Sequence, residues 1–229
     1  MTAGTNEETL LLEGRQRLLS LVDWVAEQPE NGLMLRSFLM SIALAGLRPT
    51  EAMGLRVRDA VLPDEGAGIL LIRSQVRGAG GVEAVRRVPA RPDLMALLKA
   101  EIARRDLGPD DAVFVLDDGR PLTATVYRRA WREARAVVLE VHEIDSPLGR
   151  NVSSLRDACI ASWLRNDDQT AAHILAVAEF AGMSAPRLVE RFAHCLRKPN
   201  RAAIPWDKLE AALDLPGLAL ETKAAARRP

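Results

Sequence analysis

The run NVSSLRDACIASWL, Asn151 to Leu164, sets two serines and an arginine at the head of an apolar helical stretch. Ser153 and Ser154 are both placed to cap that helix, since a serine hydroxyl satisfies a free backbone N–H at a helix start. Working outward, Gly182-Met183-Ser184 follows downstream, and Glu190-Arg191-Phe192-Ala193-His194 closes the set. Upstream, the run Ala45-Gly46-Leu47-Arg48-Pro49-Thr50-Glu51-Ala52 places a second arginine at a turn into a helix. Gly46 stops the preceding helix and Pro49 starts the next, so Arg48 sits where two helices meet. Its backbone is biased away from the α region by the proline that follows.

The chain has 229 residues, 48% of them hydrophobic, which is enough to bury one good core or two small ones. No run approaches the roughly 18 apolar residues of a membrane span. The first residues, MTAGTNEETL, are acidic rather than basic, so no signal peptide is expected. Cys159 and Cys195 lack metal-ligand spacing and read as reduced structural thiols of a cytoplasmic protein. No cofactor or metal motif is present. Basic and acidic side chains balance at 31 each, which counts against a uniformly basic nucleic-acid binder but not against a local patch. Only Lys99, Lys198, Lys208 and Lys223 are lysines, and 27 arginines make up the rest. The planar arginine fork suits phosphate.

In chain order, Glu7–Gln28 reads as an amphipathic helix with Leu10, Leu11, Leu18, Leu19, Val22 and Val25 near one face. Leu33–Ala45 is more uniformly apolar and is expected in the core; a short helix then runs from Pro49 through Leu55. Gly68–Arg73 and Ala84–Pro89 read as strands joined by a glycine-rich link, with a third short strand at Val113–Leu116. Helices are expected over Pro92–Arg105, Thr123–Val141, Ser153–Leu164, Thr170–Ala181 and Pro186–Leu196. The fold class is therefore mainly α with a small antiparallel β-sheet. Arg128, Arg129, Arg132 and Arg135 crowd the polar side of the Thr123–Val141 helix, which reads as a solvated face or a DNA contact. Residues 1–198 form one domain. Residues 199–229 form a C-terminal segment, with an amphipathic helix within Ile204–Leu220 and a basic tail.

These runs, in this order, resemble the catalytic domain of the tyrosine recombinases, the phage-integrase family of DNA breaking and rejoining enzymes. The resemblance covers Met34 to Leu196. It implies double-stranded DNA as partner and a C-terminal segment that either docks on a neighbouring protomer, a second copy or a partner recombinase, or folds back through Trp206 and Leu209 on its own domain. That family surrounds a nucleophilic tyrosine with two arginines, a lysine and two histidines, the second sometimes a tryptophan. Arg48 matches the first arginine, with Glu51 as its customary acid, and Arg156 matches the second. Two such arginines would neutralise charge on the phosphorane-like transition state.

The other positions depart from the pattern. The lysine position falls on Ala79, the first histidine on Ser153, the second on Met183 and the tyrosine on Phe192. Phenylalanine keeps the ring and removes the attacking oxygen. Serine and methionine supply no proton shuttle near neutral pH. Tyr127 is the sole tyrosine and is read as a packing residue; His142, His173 and His194 do not fall on the family's histidine positions. The resemblance thus implies a DNA-binding pseudoenzyme. Two alternatives stand beside it: an active recombinase with displaced catalytic residues, and a protein-interaction module that no longer binds DNA.

Overall fold

Gly32–Ala45 (α2) is the helix around which the others pack. Its buried apolar side chains reach beyond a single stripe: Met34, Leu35, Phe38, Leu39, Ile42 and Ala45 share one broad face, and Leu44, on another, is buried as well. Ser37 and Ser41 are also buried and donate their hydroxyls back to the carbonyls of Leu33 and Phe38, so neither is left unsatisfied. Each fully buried large apolar side chain contributes about 1.5–3 kcal/mol. Gly46, left-handed at φ 58°, ends the helix.

The computed structural model describes residues 3–64, 66–75, 83–146, 149–165 and 169–197. By its contacts the chain separates into two units, Met1–Leu196 and Arg197–Pro229. Ala79, in the link between two strands, lies outside the described residues, as does the expected helix within Ile204–Leu220. Among the described residues no helix is long and apolar enough to cross a membrane.

Ala3–Ala26 (α1) buries Leu18, Leu21, Val22 and Val25, a spacing of three and four residues that makes one helical face. Pro49–Met53 (α3) is short. Ala60–Val61 (β1), Gly68–Gln75 (β2) and Glu83–Ala90 (β3) form an antiparallel sheet in chain order. The β2–β3 register pairs Leu70 with Val88 and Ile72 with Arg86. Alternation along β3 buries Val88 and Ala90, so Arg86, two residues earlier, points to the same inner face. Pro92–Arg104 (α4) begins with proline at a position that needs no N–H donor, and packs on α2.

The expected strand at Val113–Leu116 is not one. Only single bridges form, Arg56 with Ala112 and Val115 with Pro121. The Asp117-Asp118-Gly119 turn brings the chain back onto Pro121, which has no N–H with which to extend a ladder. Val113 and Phe114 fill the core instead. The third strand is Ala60–Val61. The helix expected to reach Val141 ends at Val138 (α5, Ala124–Val138), because Leu139 is extended. A separate turn, Val141–Ile144 (α6), follows, capped reciprocally by Glu140 and Glu143.

Ser153–Arg165 (α7) joins two apolar clusters. Leu155 belongs to the main core with α1, α2 and the sheet; Ile160 and Leu164 belong to a second core with Ala171–Ala181 (α8) and Ala185–Arg191 (α9). Ser153 is the first helical residue rather than the cap. Thr170 does cap α8, accepting from the His173 N–H at 3.2 Å. The helix expected to reach Leu196 stops at Arg191 and gives way to a 3-10 turn at Ala193–Cys195. Cys159 and Cys195 are both buried, and burial pushes the Cys159 thiol up to about 12.

Candidate nucleic-acid interface

Arg48 is held extended, φ −71° and ψ 147°, by Pro49 at the first position of α3. Its backbone N–H donates to Glu51 Oε2 at 2.8 Å and its Nη1 donates to Glu51 Oε1 at 2.7 Å. Arg86, from the inner face of β3, reaches the same carboxylate with both terminal nitrogens, at 3.0 and 2.9 Å. Burial raises the Glu51 pKa, but the Arg86 hydrogen bonds and the Arg48 N–H more than offset it, and the carboxyl is held below its ordinary value.

Three arginines then take three successive carbonyls at the C-terminal end of α8. Arg86 Nε donates to Phe180 O at 3.0 Å, Arg156 Nη2 donates to Ala181 O, and Arg48 Nη2 donates to Gly182 O at 2.6 Å. These carbonyls lack partners within the helix and carry the negative end of its dipole, so cations are favoured there. Arg156 Nη1 also donates to Gly46 O, tying the end of α2 to the end of α8. Arg156 is 5% exposed, while the Arg48 side chain is 46% exposed. Burial first, and then the nearby Arg48 charge, lower the Arg156 pKa to about 10, so it stays charged at neutral pH. Gly182 closes the arrangement. It is left-handed at φ 59°, and a Cβ there would lie 2.5 Å from Arg86 Nη1.

Both sequence-predicted arginines open onto one groove of about 890 Å³ between α3, α5 and the start of α7. Arg48, Arg128, Arg132, Arg150, Arg156 and Arg191 line it, against a single acid, Asp157. Asp157 is already paired with Arg191 at 2.8 and 3.0 Å. Ser153 lines the groove one turn before Arg156. Met183 does not; it is half-buried against the second core. Phe192, expected in the same pocket, is 3% exposed and packs among Ile160, Leu164 and Leu188 without lining the groove. A ring with no polar atom gains most from full burial. Its neighbour Arg191 reaches the groove and places its guanidinium 5.9 Å from the Phe192 ring centroid.

Sequence reading missed Arg86, although its even spacing from Val88 and Ala90 marks it as inward-facing. It also missed Arg150 and treated Tyr127 only as packing.

No family model and no curated protein matches the chain. Solved structures do. XerH site-specific recombinase bound to difH substrate matches at a TM-score of 0.58 and 20% identity, covering 88% of this chain and 52% of XerH. The fold is that of the tyrosine-recombinase catalytic domain. XerA recombinase matches at a TM-score of 0.56 and 16% identity, covering 87% of this chain and 62% of its own. The Tn1549 transposon integrase in complex with transposon right-end DNA matches at 0.57 and 15%, covering 84% and 63%. The chain therefore spans about half the length of XerH and under two thirds of the other recombinases.

Proposed function

We propose that this protein grips the sugar–phosphate backbone of double-stranded DNA in the arginine-lined groove and does not cut it: a recombinase-like protein that has lost its chemistry. The observation that carries this reading is the charge of the groove, six arginines against one already-paired acid in a chain with no net charge. Such a local excess attracts a polyanion and displaces its counterions. The fold shared with XerH and the Tn1549 integrase, both solved with DNA, supports the same partner.

The loss of chemistry is argued from atoms. Strand cleavage of the tyrosine type needs a phenolic oxygen to attack phosphorus and a proton for the departing 5′-oxygen. The Phe192 side chain has no oxygen and is buried, the Ser153 hydroxyl does not exchange its charge state near neutral pH as a histidine does, and Met183 packs against the second core. What remains is binding. Phosphate contacts position a protein without reading bases, so affinity is nearly independent of sequence and falls steeply with salt.

The test is fluorescence anisotropy with labelled duplexes of unrelated sequence between 50 and 200 mM salt, paired with a denaturing gel for covalent adducts on a nicked duplex. Binding at low salt, lost at high salt and without an adduct, is expected. No binding at 50 mM salt would replace this reading with that of a protein-interaction module. A detergent-stable adduct would make the protein an active recombinase.

A further inference from the structure

The groove holds two kinds of arginine. Arg48 and Arg156 are already bonded to Glu51 and to the carbonyls of Gly46, Ala181 and Gly182. Arg128, Arg132 and Arg150 are exposed and, among the described residues, make no ion pair or hydrogen bond. Arg128 and Arg132 stand one helical turn apart on α5, so their guanidinium groups share a face. Arg150 is held at the same groove by a buried anchor. Trp131 Nε1 donates to Gly149 O at 2.7 Å, and Gly149 is left-handed, φ 58°, where a Cβ would crowd Leu18 and Leu21 at 3.1 and 3.2 Å.

Tyr127 lines the same groove. The residue is 4% exposed, its ring packs on Phe38 at 5.1 Å between centroids, and the Arg128 guanidinium lies 5.9 Å from the ring centroid. Its hydroxyl makes no hydrogen bond among the described residues. A phenol O–H at the edge of the groove donates to water until a ligand oxygen displaces that water. In a groove this cationic, the acceptor that fits it is an anionic oxygen.

We infer that Tyr127, Arg128, Arg132 and Arg150 form a phosphate cradle in which the phenol O–H and three guanidinium groups donate to one or two adjacent backbone phosphates. This rests on the DNA-binding reading and relocates the grip. The arginine pair at α3 and α7 chiefly holds α8 in place, and the α5 face carries the ligand. Tyr127 binds here as a donor; no bond to phosphorus is formed.

The experiment measures duplex binding by anisotropy for wild type, Tyr127→Phe, Arg128→Ala, Arg132→Ala and Arg150→Ala across salt, with thermal melts of each. Inorganic phosphate at millimolar concentration is added to parallel melts of wild type and Tyr127→Phe. Tyr127→Phe keeps the ring packing and should melt like wild type while binding duplex about tenfold more weakly. Each arginine variant should lower the salt slope by about 1. Wild type that binds DNA with all four variants unchanged overturns the cradle and leaves the DNA reading standing. A phosphate-induced rise in melting temperature, lost in Tyr127→Phe, with no DNA binding, keeps the cradle as a free-phosphate site and overturns the DNA reading. No response to either ligand overturns both.

Discussion

Arg86 meets Glu51 fork to fork, with Nη1 3.0 Å from Oε1 and Nη2 2.9 Å from Oε2, and both side chains are nearly buried. The pair crosses from the sheet to α3, and the same carboxylate fixes Arg48. A single buried acid thus organises two cations, and its removal would leave Arg86 charged and uncompensated.

Glu51→Gln should cost about 3 kcal/mol at neutral pH, the penalty of stranding a buried charge. The pH dependence follows from the lowered pKa of Glu51. The folded state holds this proton less tightly than the unfolded state, so the stabilisation is complete above about 4.5 and is lost as pH falls through the folded value. Denaturant melts of wild type and Glu51→Gln should therefore converge as pH drops from 6 to 3. Parallel curves over that range would show that the charge on Glu51 contributes nothing.

Gly182→Ala should be among the most damaging small substitutions. The left-handed backbone alone costs about 1–2 kcal/mol with a Cβ present. In addition, Arg86 must leave its place, since the new methyl would lie 2.5 Å from Nη1. Gly119→Ala is the control: its φ is 83° but nothing lies within 4 Å of a Cβ there. Thermal melts should show Gly182→Ala clearly below Gly119→Ala.

Arg156→Met and Arg48→Ala should separate. Arg156→Met orphans the carbonyls of Gly46 and Ala181, each costing about 1–3 kcal/mol when buried without a donor. Arg48 is half exposed, and its pair with Glu51 is worth about 1 kcal/mol or less. Equal melting temperatures for the two variants would contradict the structural role of Arg156.

Phe192→Tyr should not restore strand cleavage. The added hydroxyl enters an apolar cluster with Ile160 and Leu188 and costs about 1–3 kcal/mol if it finds no partner. A denaturing gel with nicked duplex should show no adduct, and the melt should move down. An adduct from this single change would mean that Phe192 can swing into the groove with all other chemistry intact.

How far the sequence could be read depended on whether a residue's partner lay near it in the chain. Arg48 was legible because Gly46 and Pro49, its immediate neighbours, set its backbone. Arg156 was legible as a helix-opening arginine, but its burial was not, because the carbonyls it holds lie 110 and 25 residues away. Arg86 sits opposite Ile72 in a strand whose inward parity is visible only once Val88 and Ala90 are placed in the core. Val113–Leu116 misled for a different reason: a buried irregular segment and a short strand have the same apolar signature. Tyr127 was read as packing, and its ring does pack; the hydroxyl at its edge could be judged only with the groove in view.

The three carbonyls of Phe180, Ala181 and Gly182 are claimed by side chains that enter the chain far earlier, at positions 86, 156 and 48. Such contacts close long loops and should therefore form late, after the local helices and the hairpin. Their loss should speed unfolding while leaving the refolding rate nearly unchanged. The end of α8 is then the last seam to close as the chain folds and the first to part, and the lifetime of the native state, rather than the speed of reaching it, is set there.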